Sequence, residues 1–463
     1  MASTAQEKKL NVACSGHALV FPYPSQGHVN PMIQFAKRIA SHNHRVTVAL
    51  TRFVASTVPA PLETTFSSPV SIATISDGFD EGGFSAAPSP SAYLASLESV
   101  GGASLVDLLR SLADRGDPVS VVVYDSFLPW ALHVARQNGA AVAAFFSQSA
   151  AVNAVYYHAR EGRLRYPLPE DGAAVEGLPG LPRLESDELP SLVKVQTAPG
   201  YAAFSEMLLN QFKDLDKADV MLVNTFNELE PQEMDWLTSV YVARAIGPTV
   251  PSAYLDDRIP GDNTYALNLF PLESSACKAW ISAVPVGSGV YASFGSLAEL
   301  SAEQITELAH GLLAAHRPFL WVVRDPDAGK LPPGFSADAE RTGGIVVRWA
   351  SQMEVLSSGA VGCFVTHCGW NSTMEGLALG VPMVGMPQWT DQPTDAKYLE
   401  DVWEVERCIR EVMEGERSSQ IRRRAAEWRE ASRRAVDAGG SSDRNVVEFL
   451  ERCCKPAGGR KEL

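Results

Sequence analysis

Nothing in the 463 residues stays apolar for the roughly 20 positions that a membrane-spanning helix needs, so no span is expected. The opening segment MASTAQEKKLNVACSGHALVFPYP lacks the unbroken apolar stretch of a secretory leader. Polar residues and two prolines interrupt it, and a cytoplasmic protein is the expectation. Cysteine is sparse: seven, an odd number, scattered at positions 14, 277, 363, 368, 408, 453 and 454 without a framework of spacings. That usage fits a reducing compartment rather than a disulfide scaffold. Cys363, His367 and Cys368 find no second ligand pair at metal-site spacing, so no metal is expected. Positive charge is also in deficit, with 39 Lys and Arg against 54 Asp and Glu, a formal net charge of −15. Nucleic acid and anionic membrane are thereby excluded as global partners, although a single anionic ligand is not. Neither half carries G-x-G-x-x-G after a first strand, which argues against a dinucleotide-dependent dehydrogenase.

What is present is an alternation. Apolar, β-branched runs recur at His17 to Pro22, Arg45 to Leu50, Ser71 to Ile75, Val119 to Tyr124, Ala140 to Phe146, Val220 to Asn224 and Tyr241 to Ile246. A helix from about Val29 to Ser41 follows the first of them. Near-continuous apolar strands between helices predict a parallel sheet covered on both faces, a doubly wound α/β domain. The stretch from Arg163 to Pro199 has little period and reads as a long excursion near substrate. Pro248 to Asp262, with three prolines, reads as a linker. The pattern then restarts at Val290 to Phe294, Phe319 to Arg324, Ile345 to Trp349, Val361 to Thr366 and Val381 to Met386. Two domains are the natural division of so long a chain, 1–247 and 263–440 around a 248–262 linker, with a terminal helix and tail at 441–463.

Candidate chemistry sits at strand ends. His28, in Ser25-Gln26-Gly27-His28 after the first strand, is either a proton acceptor facing the crevice or a loop histidine capping the next helix. Asp125 closes VVVYD and either orients that ring or caps the helix beginning near Leu128. In the second half, Ser293-Phe294-Gly295-Ser296 offers hydroxyls and a close backbone approach. Trp349 is either a stacking surface for a nucleobase or a core tryptophan, with the Ala350 backbone and Gln352 placed to read base or ribose. His367, Cys368, Gly369 and Trp370 form a tight turn, and a helix opens at Asn371-Ser372-Thr373. Free N–H groups and the positive dipole end make that start an anion site. His367 reads as a phosphate partner or as a satisfied core histidine. Glu375 lies one turn further on the same face, and Asp391-Gln392 are either sugar-hydroxyl partners or exposed loop residues.

The stretch VGCFVTHCGWNSTMEGLALGVPMVGMPQWTDQ closely resembles the signature of plant UDP-dependent glycosyltransferases of secondary metabolism. FLWVVR, YASFGSL and FPYPSQGHVNPMIQFAKRIA extend the likeness over nearly the whole chain. The resemblance implies two Rossmann-like domains facing a cleft, the GT-B fold, with acceptor in the first, UDP-sugar in the second and the terminal helix crossing back. It implies a base at His28 partnered by Asp125, a uracil platform at Trp349, and ribose contacts from Gln352 and Glu375. The diphosphate falls to His367, Asn371 and Ser372, assisted by Ser296, within the turn containing Gly369. Sugar hydroxyls fall to Trp370, Asp391 and Gln392, with Ser147 a further candidate. A closing glutamine resembles users of UDP-glucose. Phe127, Leu128, Phe146, Ser147 and Phe204 are the expected acceptor lining.

The expected activity is inverting, metal-independent and cofactor-free glucosylation of a hydrophobic hydroxylated small molecule, with UDP-glucose as co-substrate, by a monomer. The overall wording is similar to cereal members, including those that glucosylate trichothecene mycotoxins. A nucleotide-sugar epimerase or hydrolase on this fold, and a non-catalytic sugar-nucleotide binder, are the alternatives. Two departures stand out: Ala350-Ser351 where Cys-Pro is common, and a segment after Trp403 that is shorter than in similar proteins.

Overall fold

The computed structural model describes residues 16–57, 70–169, 174–194, 201–265, 270, 272–402 and 409–455. The shortened segment after Trp403 lies outside the described residues.

Among the described residues, twelve strands form two wholly parallel sheets. The first holds β1 (His17–Phe21), β2 (Arg45–Thr51), β3 (Val70–Ile75), β4 (Val121–Asp125), β5 (Ala141–Phe146), β6 (Val220–Val223) and β7 (Ala243–Ala245) in the order β3-β2-β1-β4-β5-β6-β7. The second holds β8 (Gly289–Ser293), β9 (Phe319–Val322), β10 (Ile345–Val347), β11 (Val361–Thr366) and β12 (Met383–Gly385) in the order β10-β9-β8-β11-β12. Strands such as Val121–Asp125 and Val361–Thr366 are buried along their whole length, as continuous apolar runs with helices on both faces require.

In each sheet the strand order reverses once, between β1 and β4 in the first and between β8 and β11 in the second. At such a switch the connecting helices leave to opposite faces and open a crevice beyond the carboxyl ends of the strands. His28 follows β1 and Asp125 ends β4; Ser293–Ser296 follow β8 and His367–Trp370 follow β11. The topology thus delivers His28 and Asp125 to one switch point and the Ser293–Ser296 and His367–Trp370 turns to the other.

The helix after β1 spans Gln26–Ser41, earlier than the sequence predicts, so His28 stands in its first turn rather than in a loop. The helix after β11, Trp370–Leu379, starts at Gly369 and is ended by Gly380 in the left-handed region (φ 69°). The last helix, Ser441–Cys453, places Phe449 beside Phe35 of the first helix (5.9 Å between rings), in the core that also holds Phe145 of β5. Glu448 pairs with Arg244 of β7, and Asn445 donates to the Ala245 carbonyl at 2.8 Å. No helix among the described residues is long and apolar enough to cross a membrane.

Candidate active site

A cavity of about 780 Å³ opens where the two switch points face each other. His28 lines it and is 14% exposed, and its Nδ1 lies 2.8 Å from Oδ2 of the fully buried Asp125. That carboxylate also accepts the backbone N–H of Tyr23 at 3.2 Å and of Phe127 at 3.1 Å. Three donors therefore converge on one buried acid and fix its orientation. Asp125 does not cap the following helix, which begins at Trp130 after Pro129. Tyr23 and Phe127 flank the His28 ring at 5.3 and 4.5 Å. With Nδ1 committed to Asp125, Nε2 is the nitrogen left to take a proton from a ligand.

Across the cavity, Gln352 donates Nε2 to Ser372 Oγ (2.9 Å) and to Glu375 Oε2 (2.7 Å), while Tyr291 donates its hydroxyl to Gln352 Oε1 (3.3 Å). Burial pushes the Glu375 carboxyl up to about 7, against the hydrogen bonds of Gln352 and Tyr265. Hydroxyl donors from a ribose would favour the ionised form and draw that value down, so ligand binding should release a proton. UDP-glucose affinity is accordingly expected to rise with pH through about 7 and then level off. Calorimetry in buffers of different ionisation enthalpy checks this; Glu375→Gln should abolish the slope, and an unchanged slope in that variant would sink it.

Trp349 lines the cavity with Phe270 against it, ring centroids 4.4 Å apart, so a base has to use the opposite face or displace Phe270. Ala350 lines the wall beside it. His367 sits between two glycines: a Cβ at Gly295 would come within 2.7 Å of its Nε2, and one at Gly369 within 2.5 Å. Gly295 also has a φ of 69°, so this turn is closed to side chains on two counts. Burial, then the charge of Arg324, lowers the His367 ring to about 4, so it is neutral at physiological pH and serves as a hydrogen-bonding group rather than a cation. Its Nδ1 is buried without a partner. Arg324 braces the Ser296 turn by donating to the Ser296 carbonyl (2.6 Å) and to that of Ala298.

Several expected ligands are already spoken for. Asn371 donates Nδ2 to the Gly27 carbonyl at 2.6 Å, one residue before His28. Trp370 is buried and donates its indole N–H to the Asn224 carbonyl at 2.7 Å, so that group is spent on the other half rather than held for a sugar. Its backbone N–H points at Asp391 Oδ2 (3.4 Å). Gln392 uses Oε1 to accept the N–H groups of Gln388 and Trp389, which leaves its Nε2 for a ligand. Ser147 lies 3.2 Å from His28 Nδ1, on the His28 side of the cavity.

Phe127, Ser147 and Phe204 line the cavity, but Leu128 and Phe146 do not: both are core residues, Phe146 packed on Phe212 at 5.5 Å. The wall also includes Phe84, Leu192 and Met207, which sequence reading missed, and Tyr265 and Tyr291, whose hydroxyls reach Glu375 and Gln352 respectively. The Asp325-Pro326-Asp327 triplet, which spells the Asp-x-Asp of metal-dependent transferases, has Asp327 paired with Lys330 (2.7 Å) and Arg324 (3.3 Å). Among the described residues no group of three or more His, Cys, Asp or Glu stands where it could hold a metal ion.

The family model described as UDP-glucoronosyl and UDP-glucosyl transferase matches residues 268–417. The chain is 45% identical to a flavonol 7-O-beta-glucosyltransferase of Arabidopsis thaliana, over 94% of this chain and 98% of that protein. It is 45% identical to an indole-3-acetate beta-glucosyltransferase of Zea mays, over 94% and 98% respectively. The crystal structure of Os79 from O. sativa in complex with UDP superposes with a TM-score of 0.84 at 40% identity, covering 94% of this chain and 99% of that one. A second Os79 structure, in complex with UDP and deoxynivalenol-3-glucoside, superposes with a TM-score of 0.79 at 39% identity, covering 94% of this chain and 100% of that one.

Proposed function

The chain belongs to the UDP-glucoronosyl and UDP-glucosyl transferases, among the plant enzymes with two Rossmann-like domains in the GT-B arrangement, and from that premise we propose how its residues divide the work. As a UDP-glycosyltransferase it moves glucose from UDP-glucose to a hydroxyl of a small molecule. The acceptor O–H loses its proton to His28 Nε2 while its oxygen attacks the anomeric carbon from the face opposite UDP. The bond to the diphosphate oxygen breaks as the new bond forms, and the product is a β-glucoside. The single observation that carries this reading is the His28–Asp125 pair at 2.8 Å, lining the cavity whose far wall is the donor motif.

Charge growing on the departing diphosphate is met by the N-terminus of the Trp370–Leu379 helix, by Ser372 and by the His367 ring, a preorganised set that needs no metal or other cofactor. Trp349 carries the uracil, Gln352 and Glu375 the ribose, and Asp391 with Gln392 the glucose hydroxyls. Phe84, Phe127, Phe204 and Met207 give the acceptor side an apolar wall, suited to a hydrophobic molecule with a hydroxyl. A monomer working in the cytosol fits this assignment.

Hydroxylated flavonoids and trichothecenes are the first acceptors to try, given what the relatives are named for. Each is incubated with UDP-glucose, the product mass is recorded, and the anomeric coupling is read by NMR. A β-linked mono-glucoside is expected. An α-linkage, or turnover of UDP-glucose alone to another sugar nucleotide, would overturn the reading in favour of a different reaction on this fold.

A further inference from the structure

Asp391 and Asp395 are one helical turn apart at the start of the Gln392–Lys397 helix, both buried, with Asp395 only 1% exposed. The oxygens of Asp391 are accounted for by Thr390 Oγ1 and the Trp370 backbone N–H. Asp395 Oδ1 accepts the hydroxyl of Ser149, at 2.7 Å, from the other half of the molecule. Its second oxygen, Oδ2, is buried and faces no donor, and the acid one helical turn before it, Asp391, is equally enclosed. Two buried carboxyls can share such a site only when a proton lies between them. An oxygen that meets no donor satisfies itself by carrying the hydrogen.

We propose that Asp395 is a positioning residue for the donor sugar: it keeps a proton, donates it to Asp391, and thereby holds Asp391 ionised and aimed at the sugar hydroxyls. Ser149 sets the Asp395 carboxyl from the opposite half, so the arrangement is complete only with the halves together. The proposal rests on the reading of Asp391 as a sugar ligand.

The groups around Asp395 agree with a retained proton. Glu230, which accepts the N–H groups of Ala150 and Ala151 and is itself pushed up to about 7 by burial, adds negative charge once ionised, as does Asp391. The Tyr156 hydroxyl is buried without a partner nearby, and the Cys368 thiol is pushed up by burial and by both carboxylates. Tyr398 donates to Glu233 (2.6 Å), and Lys397 on the same helix is paired with Glu188 (2.5 Å). Burial first, then Asp391, raises Asp395 well above the ordinary carboxylate range. Its proton is lost only as pH climbs through that raised value, and two facing carboxylates then repel.

The test compares wild type, Asp395→Ala, Asp395→Asn and Asp391→Asn for UDP-glucose kinetics between about pH 6 and 9, with UDP affinity measured by calorimetry. Asp395→Ala is expected to raise KM for UDP-glucose about ten-fold, the worth of one charge-assisted hydrogen bond, while UDP affinity stays within about two-fold. Asparagine presents N–H where Asp395 presents O–H, so Asp395→Asn should recover most of the loss and remove the alkaline fall of the wild type. An Asn variant as impaired as the Ala variant, an unchanged alkaline limb, or equal losses for UDP and UDP-glucose would overturn the proposal. An Asp391→Asn enzyme with unchanged KM for UDP-glucose would overturn both it and the sugar assignment beneath it; a normal Asp391 effect confines any failure to Asp395.

Discussion

Replacing His28 by alanine is expected to lower kcat by about 10²–10⁴ while UDP binds with near wild-type affinity. An acceptor hydroxyl is a poor nucleophile until its proton has somewhere to go. Around the cavity His28 is the proposed base, and its ring has a committed orienting partner, with Nδ1 fixed at 2.8 Å from Asp125. The residues proposed to hold the donor all lie on the second half, so removing the imidazole is expected to leave UDP binding intact. The ring is partly exposed and packs only edge-on or tilted against Tyr23 and Phe127, so the substitution should cost little stability. Single-turnover glucosylation, alongside UDP titration, separates the two quantities. Retention of more than about a tenth of the wild-type rate would show that the base lies elsewhere.

Asp125→Asn should be nearly as damaging to kcat, at about 10²–10⁴, for a different reason. Oδ2 of Asp125 accepts from both the His28 ring and the Tyr23 N–H, and Oδ1 accepts from the Phe127 N–H. Asparagine has one acceptor oxygen in place of two. If its NH₂ faces the imidazole, Nδ1 must become the acceptor, the proton moves to Nε2, and the proposed base is occupied before the substrate arrives. If the amide turns over, the part-buried Phe127 N–H meets a second donor. Either way one donor is orphaned, which costs about 1–3 kcal/mol of folding stability. Because the two residues act as a unit, the double variant with His28→Ala should be scarcely slower than His28→Ala alone. Additive losses, measured as kcat on one acceptor, would show instead that Asp125 acts independently of the ring.

The strands were legible because β-branched and apolar runs leave few alternatives: Val361–Thr366 is found with the very bounds the residues imply. The same property hid which side chains face the cavity. In a sheet covered on both faces, alternation carries no distinction between core and cleft, and Leu128 and Phe146 turned out to be core. The start of the first helix was missed because Ser25 makes no side-chain cap there, so Gln26-Gly27-His28 looks like loop. Contacts between the halves left no local trace at all. The Asn371 amide reaches Gly27 across 344 positions, and nothing near either residue announces it. Asp395 was passed over for the same reason, since its meaning depends on Ser149, 246 positions away.

The last helix has a consequence for the order in which the protein comes into being. Its Phe449, Leu450 and Cys453 complete the core formed by Phe35 and Phe145 near the beginning of the chain. During synthesis that apolar face stays uncovered until residues 449–453 have been made. The second half, whose strands run from Gly289 to Gly385, can close its own sheet while the first still waits for its missing wall. The part translated first is therefore the part finished last.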